Sequence, residues 1–341
     1  MPTTTEHSPW PKVAGAVALL TVIISVLLTA FAWPAVHSSV HDVPIAVAGP
    51  AAAAQQITAA LDQRQPDGFE ITRVDGTAAA EQLIRDREVY GAIDLTSGKP
   101  QVITASAASP TIAQTLQGIA AGLSQAQSGV APAVTTRDLV PLPADDPRGA
   151  GLSAGALPLV MGGLLAAVLL TNLLRGAARR ITGAFAFAVT GGLAMAAILE
   201  FWFGSLDGSY LVNAGAIGLS VAATSLTLLG LESLLGYPGF GLGGVLMMLV
   251  GNPFSGTTSA PEMLPGWGGT LGQLLPPGAG GQLLRSTAFF DGGGAGHPIV
   301  VLVAWLVIGV LLCVAGAVRA RRRTASPAAA VTAADREPVA V

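Results

Sequence analysis

The stretch Gly239-Phe-Gly-Leu-Gly-Gly-Val-Leu-Met-Met-Leu-Val250 is apolar throughout but only twelve residues long. A bilayer-spanning helix needs about 20 apolar residues, because the hydrocarbon core is about 30 Å thick and each helical residue rises about 1.5 Å. On length alone the stretch falls short, yet whether it crosses decides on which side of a membrane the rest of the chain lies. Five longer apolar runs surround it: Val13–Trp33, Leu152–Leu174, Ile181–Phe203, Leu211–Leu231 and Ile299–Val318. Lys12 precedes the first run, Arg175, Arg179 and Arg180 lie between the second and third, and Arg319, Arg321, Arg322 and Arg323 follow the last. Lys and Arg collect in cytoplasmic segments beside membrane ends. Placing all three clusters inside requires an even number of crossings between Lys12 and the final arginines. Only a count that includes 239–250 satisfies this, so the reading is six spans in a plasma membrane with both termini cytoplasmic.

Composition points the same way. Hydrophobic residues make up 51% of the 341, charged residues 11%, and the mean hydropathy is +0.61. A soluble domain carries about 25% charged residues. This excludes an ordinary cytosolic enzyme, a disordered chain and a basic nucleic-acid binder, and makes the lipid bilayer the first partner. The first run, at 21 residues, exceeds the roughly 7–15 of a signal-peptide core. Ala30-Phe31-Ala32 only weakly resembles a cleavage site, so an uncleaved anchor is expected.

The expected fold class is a six-helix α-helical transmembrane bundle with an extracytoplasmic α/β domain inserted between spans 1 and 2. Residues 1–12 form a cytoplasmic N-terminus, 13–33 the first span and 36–150 the external domain. Spans 2–5 occupy 151–251, 252–297 is an external loop, 298–318 the last span, and 319–341 a basic then disordered tail. The 36–150 segment holds twelve of the twenty acids and seven of the seventeen bases, which sets it apart as a polar unit.

Within that unit, Val43–Ala48 and Phe69–Val74 read as strands and Ala51–Arg64 as a helix with apolar residues at helical spacing. Thr77 is a candidate N-cap for a helix over Ala78–Arg87. Ala92–Leu95 and Gln101–Thr104, joined through Ser97-Gly98-Lys99-Pro100, suggest a hairpin. Pro110 leads into a helix over Thr111–Gln127, and Ala133–Leu139 is a last strand. Alternating strands and helices over about 110 residues make a small α/β domain with its own core. His37 and His41 stand four apart, as helical metal ligands do, but without a third ligand nearby they read as a polar stalk. Asp145-Asp146 reads as a solvated acidic turn beside Arg148.

Catalytic patterns are missing or misplaced. Gly151-Leu-Ser-Ala-Gly155 matches the G-x-S-x-G of a nucleophile elbow, but it opens a membrane helix rather than following a strand. Gly151 and Gly155 fit close helix packing through small-xxx-small spacing. No phosphate-cradling G-x-x-x-x-G-K-[ST] occurs, because Gly98-Lys99 is followed by Pro100. The single cysteine, Cys313, allows no intrachain disulfide and no Cys-based zinc site. The chain is therefore expected to be no enzyme and to need no cofactor. Glu200 and Glu232 lie toward span ends, where each reaches an interface, Glu200 outside and Glu232 inside. The lack of a mid-membrane acid argues against a proton-coupled carrier.

The external loop is rich in glycine and carries Pro253, Pro261, Pro265, Pro276 and Pro277 among apolar pieces such as Met263-Leu264 and Leu274-Leu275. That composition suits two short re-entrant helices, whose irregular backbone protein must cover. Trp267, Phe289 and Phe290 are placed as interfacial aromatic anchors.

Several local patterns occur in a telling order: Asp42-Val-Pro-Ile-Ala-Val-Ala-Gly-Pro50, Tyr90-Gly-Ala-Ile-Asp94, Asp146-Pro-Arg-Gly149, Gly251-Asn-Pro-Phe-Ser-Gly256, Leu275-Pro-Pro-Gly-Ala-Gly280 and Leu284-Arg-Ser286. With the layout of one span, an external domain, then five spans with a long loop before the last, the chain resembles membrane subunits of ABC-2 type exporters. The likeness is to the actinobacterial branch related to the YhgE/Pip (phage infection protein) family, over most of residues 10–320. It implies a permease working as a homodimer or heterodimer with a separate ATPase subunit, moving a hydrophobic or amphipathic substrate outward. Arg175, Arg179, Arg180 and Glu232 are then candidate ATPase contacts. Pro253, Pro265, Trp267, Pro276, Pro277 and Phe289 are candidate residues of an external gate. The Arg175–Arg180 link is short for a coupling helix. The competing reading is a non-transporting envelope scaffold or receptor whose external domain binds a partner.

Overall fold

A computed structural model describes residues 8–126 and 134–325. It contains five helices long and apolar enough to cross a membrane, together with a five-stranded sheet. The first, α1 (Trp10–Val36), has no buried residue in its most apolar window. It meets the rest of the protein near its C-terminal end, where Trp33 sets its edge on Phe254 at 6.3 Å. An apolar helix without protein neighbours must be covered by lipid or by another chain.

After α1 comes a mixed sheet with its covering helices. Strands β1 (Val43–Ala48), β2 (Phe69–Val74) and β3 (Gly91–Asp94) are linked by α2 (Ala51–Arg64) and α3 (Thr77–Arg85). Strand β4 (Gln101–Thr104) leads through α4 (Pro110–Ala126) to β5 (Thr135–Asp138). The order is β2-β1-β3-β4-β5, antiparallel only at β3–β4. Because successive strand side chains point to opposite faces, β1 feeds two cores. Val43, Ile45 and Val47 pack with Leu61, Ile112 and Leu116 on one side, and Ala46 and Ala48 with Ala80 and Ile84 on the other. The expected strands and helices thus stand within a residue or two of their places, the ends at Gln127 and Ala133 lying outside the described residues.

Two local expectations change. Thr77 is not the N-cap; Gly76 is, and Thr77 Oγ1 donates to Asp94 Oδ2 at 2.7 Å. The carboxylate of Asp94, buried at the end of β3, draws that hydroxyl as well as the amide and hydroxyl of Thr96. Asp146 is not solvated either. It is buried, and its carboxylate accepts from the amides of Ala150 at 2.8 Å and Gly151 at 2.7 Å. It caps α5 (Ala150–Leu173), satisfying amides that have no partner within the helix. Gly151 lies so close to Ser205 that a Cβ would sit 2.1 Å from its Oγ, which is the packing use of a small residue.

Helix α6 (Ala177–Ala197) continues through a π turn to Trp202. α7 (Tyr210–Leu235) is the hub, packed against α5, α6 and α11 (Gly296–Ala325), with 83% of its most apolar window buried. α8 (Tyr237–Val245) continues through a second π turn to Gly251. At about 1.5 Å per residue, Tyr237–Gly251 is about 22 Å long. It is shorter than the other five, as the twelve-residue run foreshadowed. It carries the chain from the end of α7 back to Gly251, which lies against Pro277.

The segment that follows is ordered structure. A 3₁₀ turn (Pro261–Met263), α9 (Gly268–Gln273) and α10 (Pro276–Phe289) pack in sequence on one another, α10 lies against α7 and α11, and α10 is buried from Pro276 to Ser286. Its glycines serve contact between backbones. A Cβ on Gly269 would lie 1.9 Å from Pro261 O, and one on Gly272 1.7 Å from Phe254 O.

Candidate functional site

Two assemblies stand at opposite ends of α5. At its start, the sheet joins the α9–α10 segment. Arg87 follows α3 with φ +60°, a left-handed position where glycine is the usual residue. There its guanidinium turns away from its own helix toward α10. Nη1 donates to Ser286 Oγ at 2.6 Å and to Gln282 O at 3.0 Å, and Nη2 donates to Gln282 Oε1. The guanidinium carbon lies 5.3 Å from the centre of the Phe290 ring, in cation–π range. Burial lowers the pKa of Arg87, while Tyr90 and Glu262 act to raise it.

Around this clamp, Tyr90 donates its hydroxyl to Glu262 Oε2 at 2.8 Å. Burial first, and then Glu262, pushes that hydroxyl above the ordinary tyrosine range. Arg285, only 3% exposed, donates to Thr257 O at 2.9 Å. The loop after α10 closes against α3: a Cβ on Gly293 would lie 2.2 Å from Arg85 O. Apolar contact accompanies the polar contact, since Ala260 and Met263 enter one core of the sheet and Phe290 the other.

The candidate gate residues fall around this junction. Pro276 and Pro277 open α10, where the missing amide proton costs nothing, and Pro277 packs on Gly251. Pro253 lines a cavity of about 300 Å³ with Phe31, Ser153 and Thr257. Pro265 precedes α9, and Trp267 at its N-cap is 73% exposed. Phe290 is inside the protein instead, and Phe289 is half-buried. Phe290 is buried beneath Arg87, and Phe289 bridges the helical core to the sheet core. His41 shares a cavity of about 420 Å³ with His297 and Glu262, while His37 ends α1. Among the described residues no group of three or more His, Cys, Asp or Glu could hold a metal ion.

At the far end of α5, Arg180 Nη1 pairs with Glu232 Oε2 at 2.8 Å. Its Nε and Nη2 donate to the carbonyls of Leu174 and Thr171, both at 3.0 Å. Three elements thus meet on one guanidinium: the last turn of α5, the start of α6 and the end of α7. All four candidate ATPase contacts line one cavity of about 1000 Å³, together with Arg319 and Arg321. The links here are short: Leu174–Gly176 joins α5 to α6, and Gly236 alone joins α7 to α8.

Arg87, Tyr90, Glu262 and Arg285 are the residues that motif reading did not single out for a role. Arg285 had a sequence signal, a lone charge in an apolar, glycine-rich stretch, which must find a partner when buried. Arg87 had none, because an arginine at the end of an amphipathic helix ordinarily faces water. Comparison of the chain with protein-family models, with curated proteins and with solved structures gives no match.

Proposed function

We propose that this chain is the membrane-spanning permease component of an ATP-driven exporter. In this reading it has six spans, both termini in the cytoplasm and the sheet domain outside. It works as a dimer of permeases with a separate ATPase subunit and moves a hydrophobic or amphipathic compound outward. The even alternation of helix direction, with α8 as the short return, supports the six-span count. So does the convergence of the Arg175–Arg180 and Arg319–Arg321 clusters at one end of the bundle.

The observation that carries the reading is the Arg87 clamp. It ties the sheet domain to α10, a short helix buried among the long ones, so a shift of α10 between α7 and α11 moves the domain with it. Packed elements move as units rather than deform. The test is purification of the tagged full chain from its own cell membranes, with measurement of vanadate-sensitive ATP hydrolysis. A stoichiometric ATPase partner supports the exporter, and its consistent absence overturns it.

One observation favours the competing scaffold or receptor reading. Links of three residues and one residue at the basic end project no helix toward an ATPase. Under that reading the sheet domain is the working part. Cross-linking on intact cells would then trap an envelope partner on the domain while no ATPase co-purifies.

A further inference from the structure

The basic cavity has a property that span orientation does not require. An arginine beside a span only sets its direction, and that does not require arginines from two helices to share one space. Here Arg175, from the link before α6, Arg179, from the start of α6, and Arg319 and Arg321, from the end of α11, are exposed side chains that line one open space of about 1000 Å³. The one carboxylate in its wall, Glu232, is taken by Arg180. Arg175, Arg179 and Arg319 form no ion pair among the described residues. The rest of the wall has an apolar part, Leu229, Leu235 and Ala317 beside the buried Cys313, next to Ser233 and the glycines Gly176, Gly236 and Gly316.

Such a space concentrates positive potential and calls for an anion. Guanidinium forks match phosphate oxygens, and several of them share the charge of one phosphate. The volume reaches the upper end of pockets that take drug-sized ligands, about 300–1,000 Å³, far more than a phosphate ion alone fills. The apolar part of the wall suits the first methylenes of acyl chains, and Ser233 beside it suits a glycerol backbone. Basic pockets between helices at the cytoplasmic face are where anionic headgroups lodge.

We infer that this cavity is a binding site for the phosphate-bearing headgroup of an anionic phospholipid of the inner leaflet, held by Arg175, Arg179 and Arg319. Arg180 is a positioning residue that keeps the wall together. The inference rests on this end of the bundle lying at a bilayer surface and is independent of export.

The experiment is native mass spectrometry of the full chain in a neutral detergent, titrated with phosphatidylglycerol or phosphatidylcholine. The wild type is expected to retain phosphatidylglycerol preferentially, with the preference falling about fivefold for each arginine removed. Combining Arg175→Gln, Arg179→Gln and Arg319→Gln brings the two lipids to parity. The same three positions changed to Lys keep most of the preference, which separates lost charge from lost folding. A charge-matched control, Arg64→Gln with Arg73→Gln and Lys99→Gln on the sheet domain, leaves it unchanged. Millimolar inorganic phosphate fails to displace the lipid. Equal preference in the wild type and the triple Gln variant overturns the site. Displacement by inorganic phosphate overturns the lipid assignment. Neither result depends on whether an ATPase co-purifies.

Discussion

Arg87 and Ser286 are 199 residues apart in sequence, yet Nη1 of one lies 2.6 Å from Oγ of the other. This bond, with the two from the same guanidinium to Gln282, makes the sheet domain and the buried helix α10 one mechanical unit. Each half is unremarkable in isolation: a left-handed residue after a helix, and a polar side chain on a glycine-rich helix.

Replacing Arg87 tests that unit. Arg87→Ala removes charge-assisted hydrogen bonds worth about 1.5–3 kcal/mol and leaves Gln282 short of a donor. Hydrogen–deuterium exchange is expected to rise in two segments together, 83–90 and 282–294. Arg87→Lys is expected to restore little, because an ammonium does not present a planar fork. Exchange confined to α3 would show that the clamp carries no coupling.

Gly293→Ala attacks the same junction from the other side. The new Cβ would lie 2.2 Å from the backbone carbonyl of Arg85, which cannot yield as a flexible side chain would. A loss of about 1–3 kcal/mol in thermal unfolding is expected from such overpacking. Gly118→Ala is the contrast. It lies in α4 with open space around its Cβ, and is expected to stabilise by about 0.5–1 kcal/mol through helix propensity.

Arg180 and Glu232 are predicted to act on stability before they act on any partner. Both are partly buried, at 22% and 18% side-chain exposure, so the pair is worth more than a surface bridge of about 0–1 kcal/mol. Arg180→Gln is expected to lower the melting temperature of the detergent-solubilised protein, whereas Arg179→Gln leaves it unchanged. Equal melting temperatures for the two variants would remove Arg180 from its structural role.

Acid is expected to loosen the sheet through Asp94. Burial alone would raise its pKa, but hydrogen bonds from Thr77 and Thr96, with the charge of Arg137, hold it below the ordinary carboxylate value. A carboxyl with a depressed folded pKa contributes stability that is present above its unfolded pKa of about 3.9 and lost as pH falls through the folded value. Unfolding followed by circular dichroism should therefore grow easier below about pH 4. Asp94→Asn is expected to flatten that dependence while lowering stability at neutral pH.

Asp146→Ala removes both acceptors from the first turn of α5. A cost of about 0.5–2 kcal/mol is expected, read as faster exchange at Ala150 and Gly151. Asp145→Ala, whose carboxylate does not cap the helix, should leave those amides protected.

The elements of the sheet domain were legible because each is short-range in origin. Val43–Ala48 and Phe69–Val74 alternate or run apolar between turn residues, and Ala51–Arg64 repeats at helical spacing, so local patterning fixes them. The long apolar helices were legible for the same reason, since hydrocarbon thickness sets a length any run can be measured against. Asp146 was misread because a capping carboxylate and a solvated one look alike until the helix it caps is placed. Phe290 was misread because an aromatic side chain suits both an interface and a core.

Thus apolar run lengths, charge clusters and strand–helix alternation by themselves determined the kinds of element present and their order. Only the tertiary structure decided which distant residues meet: Arg87 with Gln282 and Ser286, Tyr90 with Glu262, and the arginines of α6 with those of α11 around one cavity. The physical reason is that hydropathy and periodicity are properties of neighbours along the chain. A buried guanidinium, by contrast, takes its partner from whichever backbone the packing of α7, α10 and α11 brings within 3 Å.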